Sequence, residues 1–495
     1  MTSDTGHSLN LGARADRTLL TRSVVGVMVG VVLGISVLAV SFLPSMWAPL
    51  AILAIIFPFL AMIVGDARRL LLAMVLLDIP ISLDIHLGNR DEALAFGAIG
   101  GLGISVTTVA LVGLYAIWIG ELLGRRRRAS LPLLRPSLPL GMYTFFVMAS
   151  MAVATDVELS FYEVFILLQT LLLFIYVVAN IRSRKDVSFV VIILVTGLLL
   201  ESLVILALGF VGQSFNLSGF TGRILAASPA TGGLARPAGT LASPNVAGSY
   251  LGFVVTIALS VLIAQGERWH RVLAGFAFIL GAIALVLTLS RGAWAALIVS
   301  LGVLCFFAWR SGRLPMSLAF AIALMSVIGV VLFWDPIAVR LFGEDQGAAI
   351  SRVSLMMLAL RIIRDNPVFG VGANNIGMVI PKYATGVFSN AFLYAVHNKF
   401  LLVWAETGLG GLTAFLWFLV ITLRKAWRCW SFKDGFMSPL ALGLFAAILG
   451  QMVHMQVDLF RGRGQVQLLW LAAGLVAALD RLVEERVRAN WPASI

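Results

Sequence analysis

Fourteen apolar runs, most of them about twenty residues long and separated by short polar turns, restrict this chain more than any other feature. They are centred near Leu33, Ile55, Met74, Val109, Phe146, Leu172, Leu198, Val255, Leu280, Leu301, Leu324, Leu412, Phe445 and Leu471. Inside a bilayer every backbone N–H and C=O must be paired within the protein, which leaves helices and closed barrels. These runs are continuously apolar rather than alternating, so the expectation is helical. With 60% hydrophobic and 12% charged residues and a mean hydropathy of +0.99, a water-soluble fold is excluded. Several runs are short, and the third (Leu70 to Ile85) is interrupted by Pro80. The expected fold is an all-α polytopic membrane protein with about 12–14 transmembrane helices and a large outward loop containing short helices.

The first run, Val24 to Leu43, follows Arg14, Arg17 and Arg22 and is longer than a signal-peptide core, so it reads as an uncleaved span. Cys305 and Cys429 sit far apart and imply neither a disulfide framework nor a metal site. A pI near 10.4 is compatible with nucleic-acid binding, but arginines strung between apolar runs report topology instead, and no nucleic-acid partner is expected. A cytoplasmic N-terminus puts the Arg125–Arg128 run and every other short basic turn on the cytoplasmic side.

Twelve of the 36 basic residues are then left facing outward: Arg90, Arg223, Arg236, Arg291, Arg340, Arg352, Arg361, Arg364, Lys382, Lys399, Arg461 and Arg463. A basic outer face points to an anionic partner, and guanidinium meets phosphate bidentately. The longest interhelical stretch, Trp334 to Gly411, carries several of these cations and a helical pattern from Ile350 to Ile363, which favours function over disorder. The chain accordingly divides into a tail (1–23), N-terminal spans (24–197), a core (198–482) containing the outward loop 335–398, and a C-terminal tail (483–495).

Five local patterns carry candidate chemistry. In Arg236-Pro-Ala-Gly-Thr-Leu-Ala-Ser-Pro-Asn245 the turn residues feed a helix that Asn245 is placed to cap, while Arg236 lacks an adjacent acid. Ser290-Arg291-Gly292 is a tight turn between two runs, with small residues flanking an ionisable group at the membrane edge. Arg352 opens the loop helix; Arg361 and Asp365 are spaced to pair with each other, which leaves Arg352 the better ligand. Its Gly370–Asn375 turn lacks the preceding strand and Lys-Ser/Thr of a nucleotide loop. Of five histidines only His397, beside Asn398, lies in the cationic loop, where neighbouring cations favour the neutral, base-competent imidazole. Glu406, a heptad from Lys399, reads as an internal ion-pair partner. Gln451, His454 and Asp458 share one face of the thirteenth span, where interhelical hydrogen bonding explains them and a second proton-handling role stays open. No metal-ligand motif is found, and neither a metal nor a cofactor is expected.

Arg236 to Asn245, Ser290 to Ala293, Arg352 with Asn366-Pro-x-x-Gly-x-Gly372, and His397-Asn-x-x-Leu-x-x-x-x-Glu-x-Gly408 together resemble the O-antigen ligase and polymerase superfamily, over about Leu198 to Leu471. The resemblance implies a bacterial inner-membrane glycosyltransferase that works on the periplasmic face. Its donor would be an undecaprenyl-diphosphate-linked glycan, and its acceptor a lipid A core, a growing polysaccharide or a protein. It implies Arg291 and Arg352 as ligands of the donor diphosphate, with Arg236 in a matching motif of less defined role, and His397 as the base that activates the acceptor hydroxyl. Asn398, Glu406, His454 and Asp458 are supporting candidates. Ser243 stands where the family often has His, so that position carries no inference. Ligase, repeat-unit polymerase and protein O-oligosaccharyltransferase are not separated by these residues. A lipid-linked sugar transporter is the non-enzyme alternative, disfavoured because no internal repeat is visible and the charges gather at the outer surface.

Overall fold

The computed structural model describes residues 64–124, 134–217, 220–228, 233–342, 348–385, 393–432 and 434–490, with a few positions between 55 and 61. Two compact units are distinguished, Met1–Leu70 with Leu217–Gly219, and Leu71–Asn216 with Phe220–Ile495. The second unit holds the helical bundle. The expected span near Leu33, most of that near Ile55 and the Arg125–Arg128 turn lie outside the described residues.

The chain runs α1 (Ala67–Ile81), β1 (Asp84–Leu87), α2 (Asp91–Ala95), β2 (Leu102–Ser105), α3 (Val106–Leu123), α4 (Leu134–Ser150), α5 (Val157–Asn180) and α6 (Arg184–Val211). Strands β3 (Phe215–Leu217), β4 (Phe220–Leu225) and β5 (Arg236–Gly239) lead into α7 (Pro244–Ile263), α8 (Arg268–Leu287), α9 (Arg291–Arg310) and α10 (Met316–Leu332). The long loop contributes α11 (Trp334–Phe342), α12 (Ala348–Asp365) and α13 (Ile376–Tyr383), and α14 (Lys399–Ser431), α15 (Met437–His454) and α16 (Arg463–Asn490) complete the bundle. Every expected span from the third to the fourteenth has a helix at its centre. Among the described residues ten helices are long and apolar enough to cross a membrane, or eleven if α10 and the bent-back α11 count as one. At 15 residues α1, which contains Pro80, falls short. The chain is thus an all-α multi-pass membrane protein whose only strands, among the described residues, are short pieces in connections.

Local chemistry sets the helix ends. Asp156 caps α5 by accepting from Leu159 N, Ser183 and Asp186 form a reciprocal capping box on α6, and Gly212 ends α6 in the left-handed region. Ser243 caps α7 with Pro244 at its first turn. In burial, α7 and α16 are 83% and 94% enclosed over their apolar windows, against 28% for α9, so the first two form the bundle's centre and α9 its lipid-facing wall.

The basic turns gather at one end of the bundle. Arg184 Nη2 donates to Gln265 O at 2.8 Å, Gln265 N donates to Gly435 O at 2.8 Å, and Arg486 pairs with Asp434 at 2.6 Å. Arg313 lies 4.7 Å over the Trp430 ring. The opposite end carries β5, the α8–α9 turn, the start of α14 and the end of α15.

At that opposite end α14 is broken. Gly408 has φ 69° and ψ −172°, a backbone region essentially reserved for glycine, and an added Cβ would lie 1.9 Å from Val368 O. Into the break docks the turn after α12. Val371 N donates to Ala405 O (2.9 Å), Gly372 N to Glu406 O (3.0 Å) and Leu409 N to Pro367 O (3.0 Å). Asn374 bonds Ile99 and Leu159, and Asn375 bonds Asp156 and Ser160, so the glycine-rich turn is bolted to the bundle through its side-chain amides.

Candidate active site

Strand β5 is buried along its whole length, and Thr240 after it ties the segment to α6. Thr240 N and Oγ1 donate to the Glu201 carboxylate at 2.9 and 2.6 Å. The strand thereby carries Arg236, only 8% exposed, to the α8–α9 turn, where its Nε donates to Thr288 O and its Nη2 to Asn245 Oδ1, both at 2.9 Å. Arg340 of α11 reaches the same turn, with Nε donating to Leu289 O at 3.0 Å. Leu289 takes a positive φ of 51°, which turns the chain sharply so that Arg291 becomes the first residue of α9. Burial, and after it the Arg340, Arg352 and Arg291 cations, together lower the Arg236 pKa to about 10. Guanidinium groups from three other elements therefore act on Arg236 beside the α9 N-terminus, whose dipole adds to the positive potential.

His397 stands just before α14. Asn398 caps that helix, accepting from Phe400 N and Leu401 N at 3.1 Å, and donates from Nδ2 to Gln456 Oε1 at 3.0 Å, while Lys399 N donates to Met455 O. The imidazole stacks on Tyr394 with ring centroids 5.4 Å apart. Burial lowers its pKa and the Arg352 cation lowers it further; Asp458 opposes both. Above that lowered pKa the ring is neutral and able to accept a proton. His454 is also within electrostatic reach of Arg352 and Asp458. Its Nδ1 is buried without a hydrogen-bond partner, and its ring edge lies 3.5 Å from where a Gly292 Cβ would stand. Arg236, Arg291, Arg352, His397, His454 and Asp458 are thus gathered at one end of the bundle, joined by Arg340.

Some details differ from what the sequence implies. Asn245 does not cap α7; Ser243 does, which frees the Asn245 amide to hold Arg236. Gly292 packs closely against Val457 and His454, with Val457 Cγ2 at 2.6 Å from a would-be Cβ, so that a side chain there would clash. Helix α15 ends at His454, so Asp458 is in the following turn and not on a helical face, accepting from Phe460 N (2.7 Å) and Gln465 Nε2 (3.2 Å). Gln451 does bond across helices, donating to Ser249 of α7 at 2.9 Å. Asp365 pairs with Arg364 at 3.1 Å.

Not all outward cations belong to an anion site. Arg461 is buried against Glu406, with Nη2 at 2.6 and 2.5 Å from the two carboxylate oxygens, and lies 3.7 Å from Glu163. Arg463 pairs with Asp78 (2.9 Å) and Asp84 (2.8 Å), and Arg90 with Asp156 (2.6 Å). These pairs consume charge inside the protein, and they fix Glu406 as a structural partner of Arg461 instead of Lys399 alone. Their partners lie 55 to 385 residues away in sequence, beyond any local spacing argument. Arg340 was legible as an outward cation but carried no motif. Among the described residues no three His, Cys, Asp or Glu side chains are grouped as a metal site would need.

Residues 276–416 match the family model described as O-antigen ligase, a stretch that includes Arg291, Arg340, Arg352 and His397 and excludes Arg236, His454 and Asp458. Among curated proteins none matches the chain.

Proposed function

We propose that this chain, which carries at residues 276–416 a segment of the O-antigen ligase family, is a membrane glycosyltransferase that moves a glycan from undecaprenyl diphosphate to a sugar hydroxyl. The acceptor is a lipopolysaccharide core or a growing polysaccharide. The observation that carries this reading is the convergence of Arg236, Arg291, Arg340 and Arg352 beside a histidine whose pKa is lowered. In the proposed reaction the acceptor oxygen attacks the anomeric carbon while the bond from that carbon to the diphosphate oxygen breaks. The hydroxyl proton passes to neutral His397, and the electron pair leaves with the diphosphate, whose growing charge the guanidinium groups stabilise. A single displacement of this kind inverts the anomeric centre. The glycosyl-diphosphate bond supplies the driving force, so no nucleotide is required. A transporter would need its charges near the bilayer midplane, whereas these sit at one end of the bundle.

If guanidinium groups take the place of a divalent cation, purified protein should transfer glycan from a lipid-diphosphate donor at an unchanged rate in excess EDTA. Activity lost in EDTA and restored only by Mg²⁺ or Mn²⁺ would overturn that assignment. We further place the arginine end on the periplasmic side of the bacterial inner membrane, because the opposite end holds the basic turns. With an impermeant maleimide on intact spheroplasts, Lys382→Cys is expected to label and Arg424→Cys to stay dark until the membrane is opened. The reverse pattern would invert the topology.

A further inference from the structure

A cleft of about 440 Å³ among the described residues lies away from the arginines. It opens beside the turn that docks into the break of α14. Its walls include Thr155 from the α4–α5 connection, Asp365 at the end of α12, Asn366 and Phe369 from the turn, and Lys382 and Tyr383 from α13. The volume is that of a small-molecule site, and the walls are preformed, since backbone bonds from Val371, Gly372 and Leu409 hold the turn rigidly against α14.

The wall chemistry selects among ligands. Phe369 presents a ring that is 65% exposed, an apolar platform of a size matching the C–H face of a sugar. Around it stand a carboxylate, an amide, two hydroxyls and an ammonium, groups that between them donate and accept in several directions. Asn366 Nδ2 is fixed by donating to Ile362 O (3.1 Å) and Tyr383 Oη (3.2 Å), and its carbonyl oxygen takes no part in either bond. A lipid tail would leave this polar wall desolvated without partners. A phosphate would meet the Asp365 carboxylate. A polyhydroxylated ring satisfies both the platform and the rim.

Position adds a constraint. Asp365 ends α12, thirteen residues and therefore about 20 Å at 1.5 Å per residue from Arg352 in its second turn. Tyr383 of the cleft and Tyr394, which stacks on His397, both pack on Leu355 and Leu358 of that same helix. Helix α12 is thus a strut between the diphosphate end and the cleft.

We propose that the Phe369 cleft is a distal oligosaccharide subsite, which holds the glycan several sugars away from the reacting hydroxyl while α12 sets the distance. Its role in transfer rests on the glycosyltransferase reading above; its affinity for sugar does not. The glycan comes from the donor or from the acceptor, and two kinetic arms separate these sources.

The test uses full-length purified protein and lipid-free oligosaccharides released by mild acid from the host's own surface polysaccharide. Wild type and His397→Ala should bind this probe equally, and Phe369→Ala with Asp365→Asn should weaken it by about tenfold or more. Both positions are exposed, so an unchanged thermal midpoint is expected and confirms folding. A raised KM for long but not single-sugar acceptors assigns the acceptor as source. A raised KM for long-glycan but not short-glycan donors assigns the donor. Probe that fails to bind wild type, or that binds the double variant equally well, overturns the subsite. Probe binding by a protein that transfers nothing from any lipid diphosphate would instead overturn the enzyme reading and leave the subsite standing.

Discussion

Replacing His397 with alanine should lower transfer by about a hundredfold or more while donor binding stays near that of wild type. A general base acts on the acceptor proton in the transition state, whereas the donor is gripped by the arginines, so the loss belongs in kcat. The pH profile sharpens the test. In the wild type, burial and Arg352 hold the His397 pKa below its ordinary value near 6.5, so the rate should rise with pH through a value under about 6.5 and be flat above it. Arg352 lowers this pKa, so Arg352→Ala at saturating donor should move the acid limb to higher pH. Asp458 raises it, so Asp458→Asn should move the limb to lower pH. If folded His397→Ala keeps near-normal transfer, the base is elsewhere, and His454, whose Nδ1 is buried beside the same Arg352 and Asp458, is where to look.

Arg291→Ala and Arg352→Ala should each weaken binding of the undecaprenyl-diphosphate glycan by roughly 2–4 kcal/mol, because a charge-assisted contact is lost while its anionic partner remains. Lysine at either position should restore only part of the loss, since an ammonium cannot match two phosphate oxygens at once. The cluster adds a second readout. Arg236 lies among Arg340, Arg352 and Arg291, and their mutual repulsion opposes folding until an anion neutralises it. Donor or inorganic pyrophosphate should therefore raise the thermal midpoint of the wild type, and should do so less in Arg352→Ala. Equal donor affinity in wild type and both alanine variants, measured on folded protein, would remove these two residues from the diphosphate site.

Arg236 and Arg340 are expected to respond differently from Arg291. Each donates through Nε to a carbonyl of the Thr288–Leu289 turn, so truncating either one disturbs the turn that presents Arg291 as well as removing a charge. Losses at these positions should thus mix binding with stability.

Sequence by itself determined the membrane-spanning helices, because twenty continuous apolar residues have one way to satisfy their backbone in lipid. It also determined which turns are basic, and it singled out Arg236, Arg291, Arg352 and His397, since an ionisable group in an apolar chain stands out against its neighbours. What it left open were pairings between distant elements. Arg461 and Arg463 looked like Arg291 in sequence, yet Glu406, Glu163, Asp78 and Asp84 neutralise them from elements that only the fold brings alongside. Asp458 looked helical from its spacing, but the chain turns after His454 and places it in the loop instead. Arg340 gains its hydrogen bond to Leu289 O only where α11 meets the α8–α9 turn. Apolar length and local charge are properties of a segment and survive in one dimension. Which charges cancel and which remain to face a substrate depends on distances between segments, and those are set by packing alone.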